Sequence, residues 1–317
     1  MTPAHRRAVL VAGSANLDFV VRAAHVPAPG ETVLGREFST FPGGKGANQA
    51  VACAHAGGAD TQMLLALGED DFAKPIEASL LDAGVQLHTV RDAQLPTGTA
   101  FICLSDDAEN AITVAPGANM ALRAEHLPAL EGIGWLLLQL ETPLETVLAY
   151  AYAARAAGIK IALNAAPAQP LPEELLALLD VLIVNEGELA VVAGNPPDLA
   201  TGLARVQVPC VIVTLGARGC LARVGDEILL QPAFRIAALD TTAAGDTFCG
   251  ALVAALAHDT PLADALLTAS AASALACTRL GAQSSIPTFT EVAALLSDCA
   301  RRPGDDAHTA LAAWCTL

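Results

Sequence analysis

The chain has 317 residues, of which 53% are hydrophobic and 16% charged, enough for one large α/β domain or two average ones with a sizeable core. Seventeen Lys and Arg stand against 33 Asp and Glu, a formal charge of −16, which argues against nucleic acid or an anionic membrane as partner but leaves a small anionic ligand open. No apolar run reaches the ~18 residues of a membrane helix. The eight cysteines form neither a CxxC pair nor a zinc pattern with His, so they read as reduced, mostly buried small hydrophobes of a cytoplasmic protein.

The basic start and apolar run of residues 1–12 are too short for a signal peptide, and polar Asn16 and Asp18 follow at once. Residues 7–13 (RAVLVAG) read as a first buried strand that delivers SANLDFVV to its C-terminal end. Residues 32–41 (TVLGREFSTF) read as a strand with one open face, residues 42–47 (PGGKGA) as a glycine-rich turn, and ANQAVACAHAGG as a helix stopping at Gly57 and Gly58. A buried strand is expected over 61–67 and a helix over 71–83, ended by Gly84. Residues 97–105 and 111–115 read as a hairpin around the polar turn DDAEN. With 32–41 they would form a small, half-exposed sheet apart from the main one.

From residue 135 the alternation is regular. Strands are expected over 135–140, 160–164, 181–184 and 211–215, and helices over 143–157, 172–179 and from about Glu186. Residues 220–224 and 227–231 read as a hairpin around Gly225 and Asp226, and two Ala/Leu-rich helices over 245–257 and 262–278 close the domain. Repeated strand–helix units predict an α/β fold with a doubly wound, mostly parallel sheet and helices on both faces. The domain would cover residues 1–300, with strands of the small sheet from about 14–43 and 97–116, and the tail 301–317 has no assigned role.

Ligands of such sheets bind beyond the C-terminal strand ends. Asn16, Asp18, Glu141, Asn164, Asn185, Thr214 and Asp240 all fall at those ends. The stretch LDTTAAGDTFCG (239–250) reads as a strand end, a turn of small residues and a helix start, where orphan N–H groups and the macrodipole suit an anion such as phosphate. Asp246 in that turn reads as a general base for a nucleophile attacking the phosphate, or as a plain helix cap.

Each other candidate carries two readings. Asn16 and Asp18 suit adjacent sugar hydroxyls, or an Asx-turn. Gly43, Gly44, Lys45 and Asn48 offer close backbone approach and donors, or a cap with a solvated lysine; GGKGAN lacks the spacing of the GxxxxGK[ST] phosphate loop. Glu141 could accept a sugar hydroxyl or be a surface acid. Asn185 and Glu188, three apart, could face Mg²⁺ waters or phosphate oxygens, or form an N-cap box. The TLGARG segment (214–219) can pass close to a nucleotide.

In the order and content of these motifs the chain resembles the ribokinase-like (PfkB) carbohydrate kinases over residues 9–287. The resemblance is carried by NLD, PGETV, FPGGKGANQAV, APGAN, QLETPLE, NAAPAQPLPEELL, NEGE, TLGARG, DTTAAGDTFCGAL and TRLGAQSSIP. It implies that Asp246 is the catalytic base and that the amides of Ala243, Ala244, Gly245 and Asp246 form an anion hole. Asn16, Leu17, Asp18, Gly43, Gly44, Lys45, Gly46, Asn48 and Glu141 would bind the sugar together with Asp246. Asn185, Thr214, Leu215, Gly216, Ala217, Arg218, Gly219, Gly245 and Ser270 would bind ATP, and Glu188 would order the magnesium shell. Potassium would sit on Asp240, Thr242, Ala276, Arg279, Gly281 and Ser285, several through carbonyls, an oxygen set that fits a hard cation. The small sheet would be a lid that pairs subunits in a homodimer.

The sequence departs from the family at Ser270, where relatives place His or Asn near the adenine, and at Cys249, where Asn is usual. The implied reaction is ATP-dependent phosphorylation of D-ribose at its 5-hydroxyl. A phosphosugar would call for an Arg or Lys cluster, and only Lys45 is present; a nucleoside would call for stacking aromatics, which are 4% of the chain. Another neutral sugar (2-deoxyribose, fructose), or sugar or nucleotide binding without turnover, remain the alternatives.

Overall fold

In the computed structural model, which describes residues 8–105, 110–298 and 302–315, the first apolar run is β1 (Ala8–Ala12), buried on both faces. Its side chains alternate as a strand requires: Val9 and Val11 enter one hydrophobic cluster, Leu10 and Ala12 the other. That double burial is why the central strands read as continuous apolar runs.

The chain continues through β2 (Asn16–Arg22), β3 (Glu37–Gly43), α1 (Lys45–Val51), a π-helical turn (Ala52–Ala56), β4 (Thr61–Gly68), α2 (Ala73–Asp82) and β5 (Gln86–Asp92). Then come β6 (Gly98–Leu104), β7 (Asn110–Ala115), β8 (Ile133–Leu138), α3 (Leu144–Ala156), β9 (Lys160–Asn164), α4 (Glu173–Leu176), β10 (Val181–Asn185), α5 (Glu186–Val192) and α6 (Leu199–Arg205). The last third holds β11 (Cys210–Thr214), β12 (Gly219–Val224), β13 (Glu227–Pro232), α7 (Ala244–Ala257), α8 (Leu262–Ala276), α9 (Phe289–Ser297) and α10 (Asp305–Cys315).

Nine strands form the main sheet in the order β13-β12-β11-β10-β9-β8-β1-β4-β5, parallel from β11 to β5 and antiparallel at β11–β12 and β12–β13. Residues of α1, α2, α7, α8 and α9 close one face, and residues of α3, α5, α6 and α10 the other. The second sheet, β3-β2-β6-β7, stands apart, as expected from the half-exposed pattern of its strands. No helix of the described residues is long and apolar enough to cross a membrane.

The chain leaves β1 to build β4 and β5 on one side and returns through β8 on the other. Strand order therefore reverses between β1 and β8, the crevice where doubly wound sheets take their ligands. On one wall of that crevice α7 crosses the α1 segment closely. A Cβ on Gly250 would lie 2.5 Å from both Ala52 Cβ and Gln49 O, so glycine sets the approach that brings the two helices together.

Several elements differ from the sequence expectation. β3 begins at Glu37 rather than residue 32, and the helix expected over 172–179 is the single turn α4. β5, α6, α9 and α10 have no counterpart in the sequence reading. β5 (QLHTVRD) is a sheet edge whose polar positions mask any apolar run. α6 carries Gly202 mid-helix, packed on Pro196 and Leu189. Asn16 and Asp18, read as following a strand, lie within β2 itself. Most of the DDAEN turn (106–109) and the basic start (1–7) lie outside the described residues.

Candidate active site

β2 runs outward from the β1 end, and strand alternation puts Asn16 and Asp18 on one face. Both line a cavity of about 640 Å³, with Gly44, Lys45, Asn48, Glu141 and Asp246. Leu17 points the other way and is 5% exposed in the core. Gly43 and Gly46 are packing glycines rather than walls. A Cβ on Gly43 would stand 2.1 Å from Asp18 Oδ2, and one on Gly46 2.6 Å from Ser14 N.

The floor is a polar network at the strand ends. Asp246 accepts from Asn48 Nδ2 (2.9 Å) on one oxygen and from Gln49 Nε2 (3.0 Å) on the other. Gln49 also donates to Asn164 Oδ1 (3.0 Å) and accepts from Gln139 Nε2 (2.7 Å). Glu141 Oε2 accepts from Ser14 Oγ (2.5 Å) and the Lys45 N–H (3.1 Å). Asn119 Nδ2 donates to Asn16 Oδ1 (2.8 Å), and Asn119 Oδ1 accepts from the Ala15 N–H (2.9 Å). Sequence reasoning gave no role to Gln49, Asn119, Ser14 or Gln139. Three of them sat inside quoted motifs (FPGGKGANQAV, APGAN, QLETPLE), but nothing local marks a buried amide as a site residue.

Acid charge is concentrated here. Burial, with the charges of Glu141 and Asp246, pushes Asp18 up to about 7. Burial also raises Glu188, and the Asp246 charge, ahead of Glu141 and Glu188, holds the Lys45 ammonium above its usual range. Lys45 is thus a firmly charged cation among acids, the arrangement that suits a neutral, hydroxyl-rich ligand on one side and a polyanion on the other.

A second cavity of about 490 Å³ opens behind α7, walled by Thr214, Gly216, Ala217, Gly219, Phe234, Phe248 and Ser270. The turn before α7 belongs to both spaces: Ala243 and Asp246 line the first, Ala244 and Gly245 the second, Thr241 each of them. No side chain caps the first turn of α7. Ala243 at its N-cap is left-handed (φ 57°), a conformation costing a non-glycine residue roughly 1–2 kcal/mol and held by the folded surroundings.

The other expected nucleotide residues are placed differently. Asn185 and Glu188 form a reciprocal capping box on α5: Glu188 N donates to Asn185 Oδ1 (2.8 Å) and Asn185 N to Glu188 Oε2 (2.7 Å). Neither lines the two cavities, although the Glu188 carboxyl feels the charges of Lys45 and Asp246. Leu215 is buried, and the Arg218 guanidinium is turned to Glu186 (2.6 Å).

Asp240 gathers part of the expected cation set. Its Oδ1 accepts from Thr242 N (2.8 Å) and Thr242 Oγ1 (2.6 Å), and its Oδ2 from Gly281 N (2.9 Å). Ser285 is fully buried nearby in sequence, its hydroxyl on Ala282 O, while the Arg279 side chain pairs away with Glu291 and its N–H bonds Ala276 O.

A strand-reversal crevice with two cavities meeting at a helix N-terminus describes a two-substrate transfer site. The model of the pfkB family carbohydrate kinases matches residues 6–289. The chain belongs to that family. The ribokinase of Haemophilus influenzae is 37% identical over 300 residues, covering 90% of this chain and 97% of that one. The deoxyribokinase of Salmonella typhi is 32% identical over 302 residues, covering 91% and 98%. Among solved structures, that of Arabidopsis thaliana ribokinase complexed with ribose and ATP superposes with a TM-score of 0.84 at 33% identity, covering 92% of this chain and 99% of that one.

Proposed function

We propose that the chain is a ribokinase, transferring the γ-phosphoryl group of ATP to the 5-hydroxyl of D-ribose. The observation that carries this reading is the position of Asp246, in the wall of the polar cavity and one residue from Gly245 in the wall of the other. Ribose occupies the larger cavity, its hydroxyls held by Asn16, Asp18, Lys45, Asn48 and Glu141. ATP lies over residues 214–219 with its phosphates toward the α7 N-terminus. Asp246 takes the proton of the 5-hydroxyl as the new P–O bond forms, and ADP leaves with the electrons of the broken one. The first-turn amides of α7 favour the migrating negative charge.

An acid-rich pocket facing a polyphosphate calls for added cations, and the donors present fit them. Glu188 would order magnesium through water, and magnesium supplies charge neutralisation of the phosphates when bound. The carbonyls and carboxylate of Asp240, Thr242, Ala276, Arg279, Gly281 and Ser285 would hold potassium beside the anion hole. The lid sheet exposes Phe38 and Phe101 on one face and, over the larger cavity, Ile112 and Val114 on the other, apolar surface that supports pairing of two chains through the lid; a solution mass of a single 32.3 kDa chain would end that reading.

A coupled assay with ATP and Mg²⁺, over a panel of neutral sugars with and without K⁺, tests the proposal. Ribose is expected to give the highest kcat/KM, with 2-deoxyribose lower because Asp18 loses one of two adjacent hydroxyls. Equal values for the two sugars would remove the role of Asp18 in the choice.

The raised Asp18 predicts a pH dependence. A carboxylate accepts from two hydroxyls, and its protonated form loses acceptor capacity. The kcat/KM for ribose should therefore climb as pH rises through about 7, and Asp18→Asn should flatten that limb. For stability the sign is opposite: the folded state holds the proton more tightly, so the Asp18 contribution is full below 3.8 and declines as pH rises toward 7. A pH profile with the same limb in Asp18→Asn contradicts the assignment.

A further inference from the structure

α10 lies beyond residue 289, where the match to the family ends. Leu311 and Cys315, one helical turn apart, are buried at 3% and 2% exposure and fix it against the sheet face that includes Leu230 of β13. Between them in sequence, Trp314 reaches out over Arg218, whose Cζ is 3.9 Å from the indole ring centroid. The same guanidinium is bound to Glu186, the residue after Asn185, with Nη2 2.6 Å from Oε2. Arg218 ends the 3₁₀ turn Gly216–Arg218, and Gly216, Ala217 and Gly219 line the 490 Å³ cavity.

That turn is pliant by composition. Gly216 and Gly219 both have positive φ (57° and 116°), and two glycines in four positions leave many competing conformations. Its backbone is tied down by Leu215 N–H on Gly219 O (2.8 Å) and Ala233 N–H on Arg218 O (3.2 Å). The side chain that leaves the turn is clamped between an indole and a carboxylate.

We propose that Trp314 is a positioning residue for nucleotide binding: by stacking on Arg218 it holds the Gly216–Arg218 turn in the shape that receives ATP. The tail thus becomes part of the phosphoryl-donor site without touching the donor. The proposal rests on reading the smaller cavity as the nucleotide site. A protein whose turn is ordered only part of the time shows an apparent affinity reduced by that fraction, and the stack is what raises it.

The test is steady-state kinetics of the full chain with Trp314→Ala and Trp314→Phe, varying ATP at saturating ribose and ribose at saturating ATP. For Trp314→Ala we expect KM for ATP to rise about two- to fivefold, the range of an exposed cation–π contact, with kcat and KM for ribose unchanged; Trp314→Phe should fall between. The chain has two tryptophans, and Trp135 is buried, so emission of the wild type should also respond to ATP added without sugar, a response lost in Trp314→Phe. An unchanged KM for ATP in Trp314→Ala, or parallel changes in kcat and both KM values, would overturn the proposal. A wild-type protein without saturable dependence on ATP would instead refute the nucleotide reading of the cavity, and the proposal with it.

Discussion

Asp246→Asn is expected to lower kcat by at least ~10²-fold, the lower end for loss of a general base, while KM for ribose stays within a few-fold. The split follows from the geometry. Asp246 is 8% exposed and held on both oxygens by amide donors, Asn48 Nδ2 and Gln49 Nε2, so its orientation is set before any substrate arrives. An Asn of the same shape keeps its place beside the sugar but has no basic oxygen for the hydroxyl proton. It also turns one NH₂ toward another, because both neighbours are donors, which should cost about 1–3 kcal/mol of stability. Thermal unfolding of the variant and kcat at saturating substrates separate the two effects. A variant with wild-type kcat would show that Asp246 is not the base.

Two glycine substitutions should divide cleanly between stability and binding. Gly44 has φ 89° and ψ 135°, and a Cβ there would lie 2.8 Å from both Ala15 Cα and Asn16 N. Backbone cannot yield as a side-chain tip can. Gly44→Ala therefore combines strain of about 1–3 kcal/mol with overpacking of similar size, a drop of roughly 3–9 °C in Tm for a chain of this length. It should also weaken ribose binding, since Asn16 is what moves. Gly245 has nothing within 4 Å of an added Cβ and sits in the first turn of α7, where Ala is the better helix former. Gly245→Ala should leave Tm level or slightly higher and raise KM for ATP, because the new methyl enters the smaller cavity. Calorimetry and ATP kinetics on the two variants check this; a Tm loss in Gly245→Ala as large as in Gly44→Ala would break the distinction.

Much of this was legible in the chain. The buried strands announced themselves because both faces are covered, so β1 and β8 carry no polar side chain and β4 and β11 carry polar ones only at their ends. The turn before α7 was readable because a run of small residues leading into an apolar helical stretch is a local pattern. Local pattern fails where a neighbour decides. β5 is polar because it lies at an edge, and α4 is one turn despite its Pro and Glu start. Asn185 and Glu188 fit both a capping box and a ligand shell on spacing alone, and the folded chain makes the box.

The one-dimensional pattern determined the layering of the protein and the small-residue helix start that carries Asp246, because periodicity and turn composition are local properties. Only the tertiary structure decided that Gln49 and Asn48 orient Asp246, that burial, with the charges of Glu141 and Asp246, pushes Asp18 up, and that a helix at the far end of the chain stacks on Arg218. Each of those joins residues 96 to 228 positions apart, through distances and burial that no stretch of sequence contains.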